Sequence, residues 1–183
     1  MRSPGPTGDG AISSAHDDVT GNDALDMKHD CSTSGAGAAQ TGGRFNRPGV
    51  EALYLAADPA TALEEYRQGA SIVPPGTLVA YRLDIAEVVD FASGYDPASW
   101  PAIWASHACD WKFIARIERA EPATWRIADE LVQSGRRGLL YPSARRLDGV
   151  NLVLFCGNLG PEDRVEPHDP DHGLPQNQRS WQV

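Results

Sequence analysis

The pattern of hydrophobic and polar positions divides the chain at about residue 40. Residues 1–40 consist mainly of Gly, Ser, Ala, Thr and Asp, and every Trp, Tyr and Phe lies at or after Phe45. A segment with so few large apolar side chains buries too little surface to offset the loss of backbone entropy, about 1–2 kcal/mol per residue. We therefore predict a weakly ordered segment over residues 1–40 and a folded domain over residues 41–183.

After residue 45 the pattern alternates between strand and helix. The apolar run at 52–56 predicts a buried strand, and Asp58-Pro59 predicts the start of a helix that ends near Gly69. Helical spacing of apolar residues predicts another helix over 122–135, and a weaker pattern predicts one over 110–119. Further strands are predicted at 77–84, 87–91, 138–141, 151–156 and 164–168. This order indicates a compact α/β or α+β domain around a mixed sheet.

Charge and cysteine content narrow the classes of function. The net charge is −9, and residues 1–40 hold six acidic against two basic side chains. An acidic chain is not typical of proteins that bind nucleic acid or anionic membranes, and no apolar run is long enough to cross a bilayer. The three cysteines form no CxxC pair, which favours neither a disulfide framework nor a cysteine-based zinc site. We expect a cytoplasmic protein.

Familiar cofactor and metal motifs are absent from the sequence. It contains no GxGxxG, no P-loop, no HExxH and no GxSxG. His168 and His172 lie near two aspartates, but the intervening Pro170 and the following Gly173 break any regular ligand spacing. A solvated polar tail is the favoured interpretation, and we predict neither a metal nor a resident cofactor.

Three segments carry candidate chemistry. In residues 41–49 (TGGRFNRPG), two glycines allow a tight turn, and Arg44 can pair with a phosphate or carboxylate; an exposed surface turn is the simpler alternative. Glu64 and Glu65 point about 100° apart on a helix, so at most one can face a site. Ser143 follows a predicted strand, where functional residues are common, although serine after proline is also ordinary turn chemistry.

Taken together, these segments resemble the RES domain family, named for its Arg, Glu and Ser. The matching pieces are GGRFNRPG (42–49), LYLA (53–56), DPATALEEY (58–66), LLYPSAR (139–145), GVNLVLF (149–155) and DPDHGLPQNQRSW (169–181). The spacing of Arg44, Tyr54 and Glu65 is also similar to that of the family. In the family an upstream strand carries an aromatic residue, whereas residues 1–40 contain none.

The resemblance implies a function and a fold. It implies an α+β domain with a mixed sheet, similar to the ADP-ribosyltransferase fold, and an NAD-degrading toxin of a type II toxin–antitoxin pair. NAD⁺ is then the substrate, cleaved at the nicotinamide–ribose bond by water or by inorganic phosphate as co-substrate, and the partner is an Xre-type helix-turn-helix antitoxin. The alternatives are an ADP-ribosyltransferase that modifies a protein, or a degenerate RES domain that only binds.

The resemblance also implies roles for residues. Arg44 and Glu65 are the expected catalytic residues, and Tyr54, Ser143 and Asn151 are expected to bind substrate. Glu65 is chosen over Glu64 because the family glutamate directly precedes the position of Tyr66. A fixed carboxylate suits the cationic transition state of glycosidic cleavage. Ser143 has no histidine or lysine beside it in sequence, which favours a hydrogen-bonding role over a nucleophilic one.

Overall fold

The structure, a computed structural model, describes residues 12–14, 35–72, 75–171 and 173. In these ranges seven strands form one sheet and four α-helices flank it. The strands are β1 (Ile12–Ser14), β2 (Ala52–Ala56), β3 (Val79–Asp84), β4 (Val88–Asp90), β5 (Gly138–Pro142), β6 (Val150–Phe155) and β7 (Arg164–Pro167). The helices are α1 (Ala36–Thr41), α2 (Pro59–Arg67), α3 (Trp111–Phe113), which continues as a π-helical turn over Ile114–Glu118, and α4 (Ala123–Gln133).

The sheet is mixed and has the order β4-β5-β6-β2-β1-β3-β7. Strands β4 and β5 run parallel, and all other neighbours run antiparallel. In the register, Tyr54 of β2 lies opposite Val153 of β6, and Tyr141 of β5 lies opposite Asn151 of β6. Because side chains alternate along a strand, Tyr54, Tyr141 and Asn151 share one face of the sheet.

Each face of the sheet covers a hydrophobic cluster. On the face of Tyr54 the buried residues come from strands β2, β5 and β6, helix α4, the 3₁₀ turn Ala102–Ser106 and two loops. They include Phe45 and Phe91 from the loops, and Trp104, Ile127, Leu131, Leu139, Val153 and Phe155. On the other face Leu53, Leu55, Leu152 and Leu154 pack with Tyr81 of β3. This second cluster therefore includes residues from β2, β3 and β6.

Helix α2 begins and ends as the sequence predicts. Oδ1 of Asp58 accepts hydrogen bonds from the amides of Ala60 and Thr61, both at 3.0 Å, and Pro59 occupies the first helical turn. At the other end Gln68 and Gly69 have φ values of 48° and 85°, which stops the helix. These caps hold the helix at a fixed place beside strand β2.

The mixed sheet and the predicted strands and helices after residue 45 are confirmed, with ends shifted by one or two residues. Two elements were not predicted: β1 and α1, both at least partly within residues 1–40. The domain start at residue 41 stays a prediction. Both β1 and α1 begin before that residue. No helix in the described ranges is long and apolar enough to cross a membrane.

Candidate active site

Glu65 lies on the side of helix α2 that faces the sheet. Its Oε1 accepts a hydrogen bond from Oγ of Ser143 and another from Nδ2 of Asn151, each at 2.7 Å. Glu64 points elsewhere, and its carboxylate pairs with Arg67 at 3.2 Å on the surface. The helix therefore separates the two carboxylates as its geometry predicts, and Glu65 is the one brought beside Ser143 and Asn151.

Ser143 sits in a turn that uses its hydroxyl completely. Oγ accepts hydrogen bonds from the amides of Arg145 at 3.0 Å and Arg146 at 3.1 Å, and it donates its own hydrogen to Glu65. The amide of Ser143 in turn donates to the carbonyl of Gly149 at 2.7 Å. A hydroxyl held in this way orients a carboxylate and is not poised to attack a substrate.

The same turn is tied to the start of helix α2. Nη1 of Arg146 donates to both carboxylate oxygens of Asp58 and to Oγ1 of Thr61, each at 3.1 Å. The pKa of Asp58 is lowered, first by the hydroxyl and amide of Thr61 and then by the positive charge of Arg146. Asp58 thus caps the helix that carries Glu65 and also holds the turn that carries Ser143.

Tyr54 contacts the glycine-rich segment through its hydroxyl. The hydroxyl oxygen accepts from the Phe45 amide at 2.9 Å, and the hydroxyl donates to Oδ1 of Asn46 at 2.8 Å. Burial raises the pKa of Tyr54 far above its ordinary value, so the phenol stays protonated. Both hydrogen bonds of the Tyr54 hydroxyl are thus made within the protein.

Arg44 is at the tip of a tight turn. The turn is closed by the amide of Gly43, which donates to the carbonyl of Asn46 at 3.0 Å. Arg44 is half-buried, and its Nη1 donates to the carbonyl of His107 at 3.1 Å. The glycine-rich segment therefore forms the predicted turn, and its arginine is held against the protein rather than fully exposed.

Tyr141 interacts electrostatically with Arg44, Tyr54 and Glu65. It is buried, and its ring packs edge-on against Phe45 with centroids 4.7 Å apart. Burial raises the pKa of Tyr141, the nearby Tyr54 and Glu65 raise it further, and the positive charge of Arg44 opposes them. Arg44, Tyr54 and Glu65 therefore all lie within electrostatic range of one buried phenol. Beside Ser143, a cavity of about 310 Å³ opens between Ser93, Arg146 and Gly149.

A comparison with protein families identifies the family of this chain. A family model described as the RES domain matches residues 24–177, which is most of the chain. The chain belongs to the RES domain family. No curated protein sequence matches it.

A solved structure shows the same fold as this RES domain. It is described as the crystal structure of the M. tuberculosis MbcT–MbcA toxin–antitoxin complex, and one of its chains superposes with a TM-score of 0.52. The match covers 87% of this chain and 81% of that chain, with 19% sequence identity. The predicted α+β fold with a mixed sheet is thereby confirmed.

Three further residues contact or pair with the residues predicted for the site. Asn46 and Tyr141 lie inside the matched segments 42–49 and 139–145, but Tyr141 is placed opposite Asn151 by the pairing of β5 with β6, which depends on the fold. His107 contributes its backbone carbonyl to Arg44, and no side-chain pattern reveals such a contact.

The histidine cluster near the C-terminus is described only in part. Among the described residues, no group of three or more His, Cys, Asp or Glu side chains could hold a metal ion. His172 and residues 174–181 of the closing RES segment lie outside the described residues, so the structure says nothing of them.

Proposed function

We propose that this protein is the toxin of a toxin–antitoxin system and cleaves the nicotinamide–ribose bond of NAD⁺. Membership of the RES domain family supports the proposal, as does the fold shared with a chain of a toxin–antitoxin complex. The observation that carries the enzymatic part is the Glu65 carboxylate, held by two donors on the face of the sheet that also presents Tyr54.

Glu65 is the group that stabilises the transition state. When the bond between ribose C1′ and nicotinamide breaks, its electron pair leaves with nicotinamide and positive charge develops on the ribose. Ser143 and Asn151 both bind Oε1, so that among the described residues Oε2 accepts no hydrogen bond. This second oxygen is left to face the ribose, and a prepositioned carboxylate needs little reorganisation during the reaction.

Arg44 and Tyr54 bind the rest of the substrate. The half-buried guanidinium of Arg44 supplies positive charge for the pyrophosphate, or for an inorganic phosphate that attacks C1′. With water as acceptor, C1′ gains a hydroxyl and a proton is released; with phosphate, a C1′–O–P linkage forms. The ring of Tyr54 offers a surface on which the nicotinamide or adenine stacks.

An antitoxin partner and a cytoplasmic site of action complete the proposal. The structurally similar chain comes from a toxin–antitoxin complex, which supports a protein partner for this chain. We propose that this partner is an Xre-type helix-turn-helix antitoxin. The cytoplasm is where both NAD⁺ and such an antitoxin are met.

The test follows nicotinamide release from NAD⁺ by purified protein, with and without phosphate. Glu65→Gln keeps the shape of the side chain but removes its charge, and we expect it to lower kcat by about 100-fold or more. Glu64→Gln is the matched control, because Glu64 pairs with Arg67 on the surface; it should retain activity within about twofold.

Three results would contradict parts of this proposal. A protein that releases no nicotinamide is not an NAD-cleaving enzyme, and full activity in Glu65→Gln would remove the role of Glu65. Transfer of labelled ADP-ribose to a protein would instead indicate an ADP-ribosyltransferase.

A further inference from the structure

Asn46 is one of the few buried polar residues in the described part of the chain, and the proposed reaction gives it no role. It is 1% exposed. Its Nδ2 donates to the carbonyl of Val50 at 2.8 Å and to the carbonyl of Ala38 at 2.9 Å. A buried amide in such a position keeps its place only if its hydrogen bonds are satisfied, because each lost bond costs the desolvation of the group.

These bonds fix which way the amide points. Since these two carbonyls, and more weakly that of Arg47 at 3.3 Å, accept from Nδ2, the oxygen of the amide is the end presented to Tyr54. Oδ1 of Asn46 then accepts the hydrogen of the Tyr54 hydroxyl at 2.8 Å. The hydroxyl oxygen of Tyr54 consequently keeps its lone pairs for the Phe45 amide, which donates to it at 2.9 Å.

Phe45 is anchored at both its backbone and its ring. The amide is held by Tyr54, and the fully buried ring packs against Tyr141. Arg44 directly precedes Phe45 at the tip of the same turn, and the turn is closed by Gly43 and Asn46. Fixing the Phe45 amide therefore fixes the peptide from which the Arg44 side chain extends.

We infer that Asn46 is a positioning residue, which acts through the Tyr54 hydroxyl and the Phe45 amide to aim Arg44 at the substrate. This inference rests on the proposed function for the substrate that Arg44 meets. It assigns the Tyr54 hydroxyl to the protein's own architecture and leaves the Tyr54 ring for the substrate. It also explains why Asn46 lies in the same short segment as Arg44.

The first test is a double-mutant cycle with Arg44. Tyr54→Phe removes the hydroxyl and keeps the ring, and we expect it to lower kcat/KM for NAD⁺ by about 10-fold. In an Arg44→Ala background, itself lowered by about 100-fold, the same change should cost less than about twofold, because the residue being aimed is gone. Equal losses in the two backgrounds would overturn the inference.

Asn46 itself is tested with a matched control. Asn46→Asp keeps the acceptor for Tyr54 but replaces the NH₂ group, which donates to backbone carbonyls, with an oxygen. We expect it to lower kcat/KM in the otherwise unmodified protein and to cost much less in the Arg44→Ala background. Asn158 is also an asparagine that bridges two carbonyls, those of Val132 and Arg136, each at 2.8 Å. Asn158→Asp should leave kcat/KM within about twofold of the unmodified protein; a loss as large as that of Asn46→Asp would overturn the inference.

A second measurement does not depend on NAD⁺ turnover. Hydrogen exchange of the Phe45 amide should be faster in Tyr54→Phe by about 10-fold, while amides of strand β6 keep their protection. Unchanged exchange at Phe45 would overturn the inference. If the unmodified protein does not cleave NAD⁺, the proposed function fails. The exchange rate of the Phe45 amide still shows whether Tyr54 and Asn46 hold the turn.

Discussion

Gly43 lies where the arginine turn touches both Tyr54 and Asn46. A Cβ atom at this position would lie 2.5 Å from the hydroxyl oxygen of Tyr54 and 2.6 Å from Oδ1 of Asn46. Real Cβ atoms do not approach polar atoms so closely, so one of the two hydrogen-bonding partners would have to move. The glycine is therefore required by close approach of the Tyr54 ring and not by a left-handed backbone.

We expect Gly43→Ala to lower the free energy of unfolding by about 1–3 kcal/mol. Gly37→Ala is the matched control, because a Cβ at Gly37 in helix α1 meets no atom within 4 Å. Alanine in a helix is favoured over glycine by roughly 0.5–1 kcal/mol, so this control should be neutral or more stable. Urea unfolding measures both. A Gly43→Ala protein as stable as the unmodified one would mean that the turn is not packed against Tyr54.

Individual residues show which features of the site can be predicted from the sequence. Helical geometry alone separates Glu64 from Glu65, and the structure places them apart accordingly. The partners of Asn46 could not be predicted in this way, because its contacts with Ala38 and Tyr54 depend on how distant segments pack. Local spacing thus predicts the direction of a side chain, whereas a hydrogen-bond network requires the fold.

At the scale of the elements, Asp58 controls both the start of helix α2 and the turn of Ser143. Replacing it with alanine removes the cap, and we expect a loss of about 0.5–2 kcal/mol at neutral pH. Asp58→Asn retains a capping oxygen without the charge and should lose less. Since Arg146 also loses an ionic partner, both variants should lower activity through Glu65 and Ser143. Unfolding and nicotinamide release check the two effects.

The pH dependence of stability follows from the lowered pKa of Asp58. A carboxyl whose pKa is lowered by folding stabilises the protein at pH values above its ordinary pKa of 3.8. This stabilisation is lost as the pH falls below that value. Asp58→Asn should therefore flatten the acid side of the stability curve. Asp96, whose pKa is lowered mainly by Ser99, offers a control: Asp96→Asn should flatten the curve too but leave activity unchanged. An Asp58→Asn curve as steep as that of the unmodified protein would contradict this account.

The elements that the sequence did not predict are those with weak local signals. Helix α1 has six residues, includes Gly37 and follows Gly35, and glycine disfavours helix. Its place is defined by distant contacts: a Cβ at Gly35 would lie 2.8 Å from the backbone of Ala52, and the Gly49 amide donates to Ala39. Strand β2, by contrast, is an uninterrupted apolar run and was predicted with its observed ends.

At the scale of the whole molecule, strand β1 joins two parts of the sheet. It pairs with β2 at Ser13 and Ala56, and with β3 at Ser13 and Ala80. On one side of it lie β4, β5, β6 and β2, which carry Tyr54, Tyr141 and Asn151; on the other lie β3 and β7. Without β1, both β2 and β3 would present unpaired edges, which destabilises a sheet and favours association between chains.

We therefore expect truncation of residues 1–14 to destabilise the protein and truncation of residues 1–9 to have little effect, because only the longer one removes β1. The melting temperature should fall by at least about 4 °C in the longer truncation, since 1 kcal/mol corresponds to roughly 2–4 °C in a chain of this size. Thermal unfolding and light scattering measure the stability and the expected self-association. Activity should fall in parallel, because β2 carries Tyr54. Equal melting temperatures for the two truncations would show that pairing through β1 does not hold the sheet together and that the site depends on β2, β5 and β6 alone.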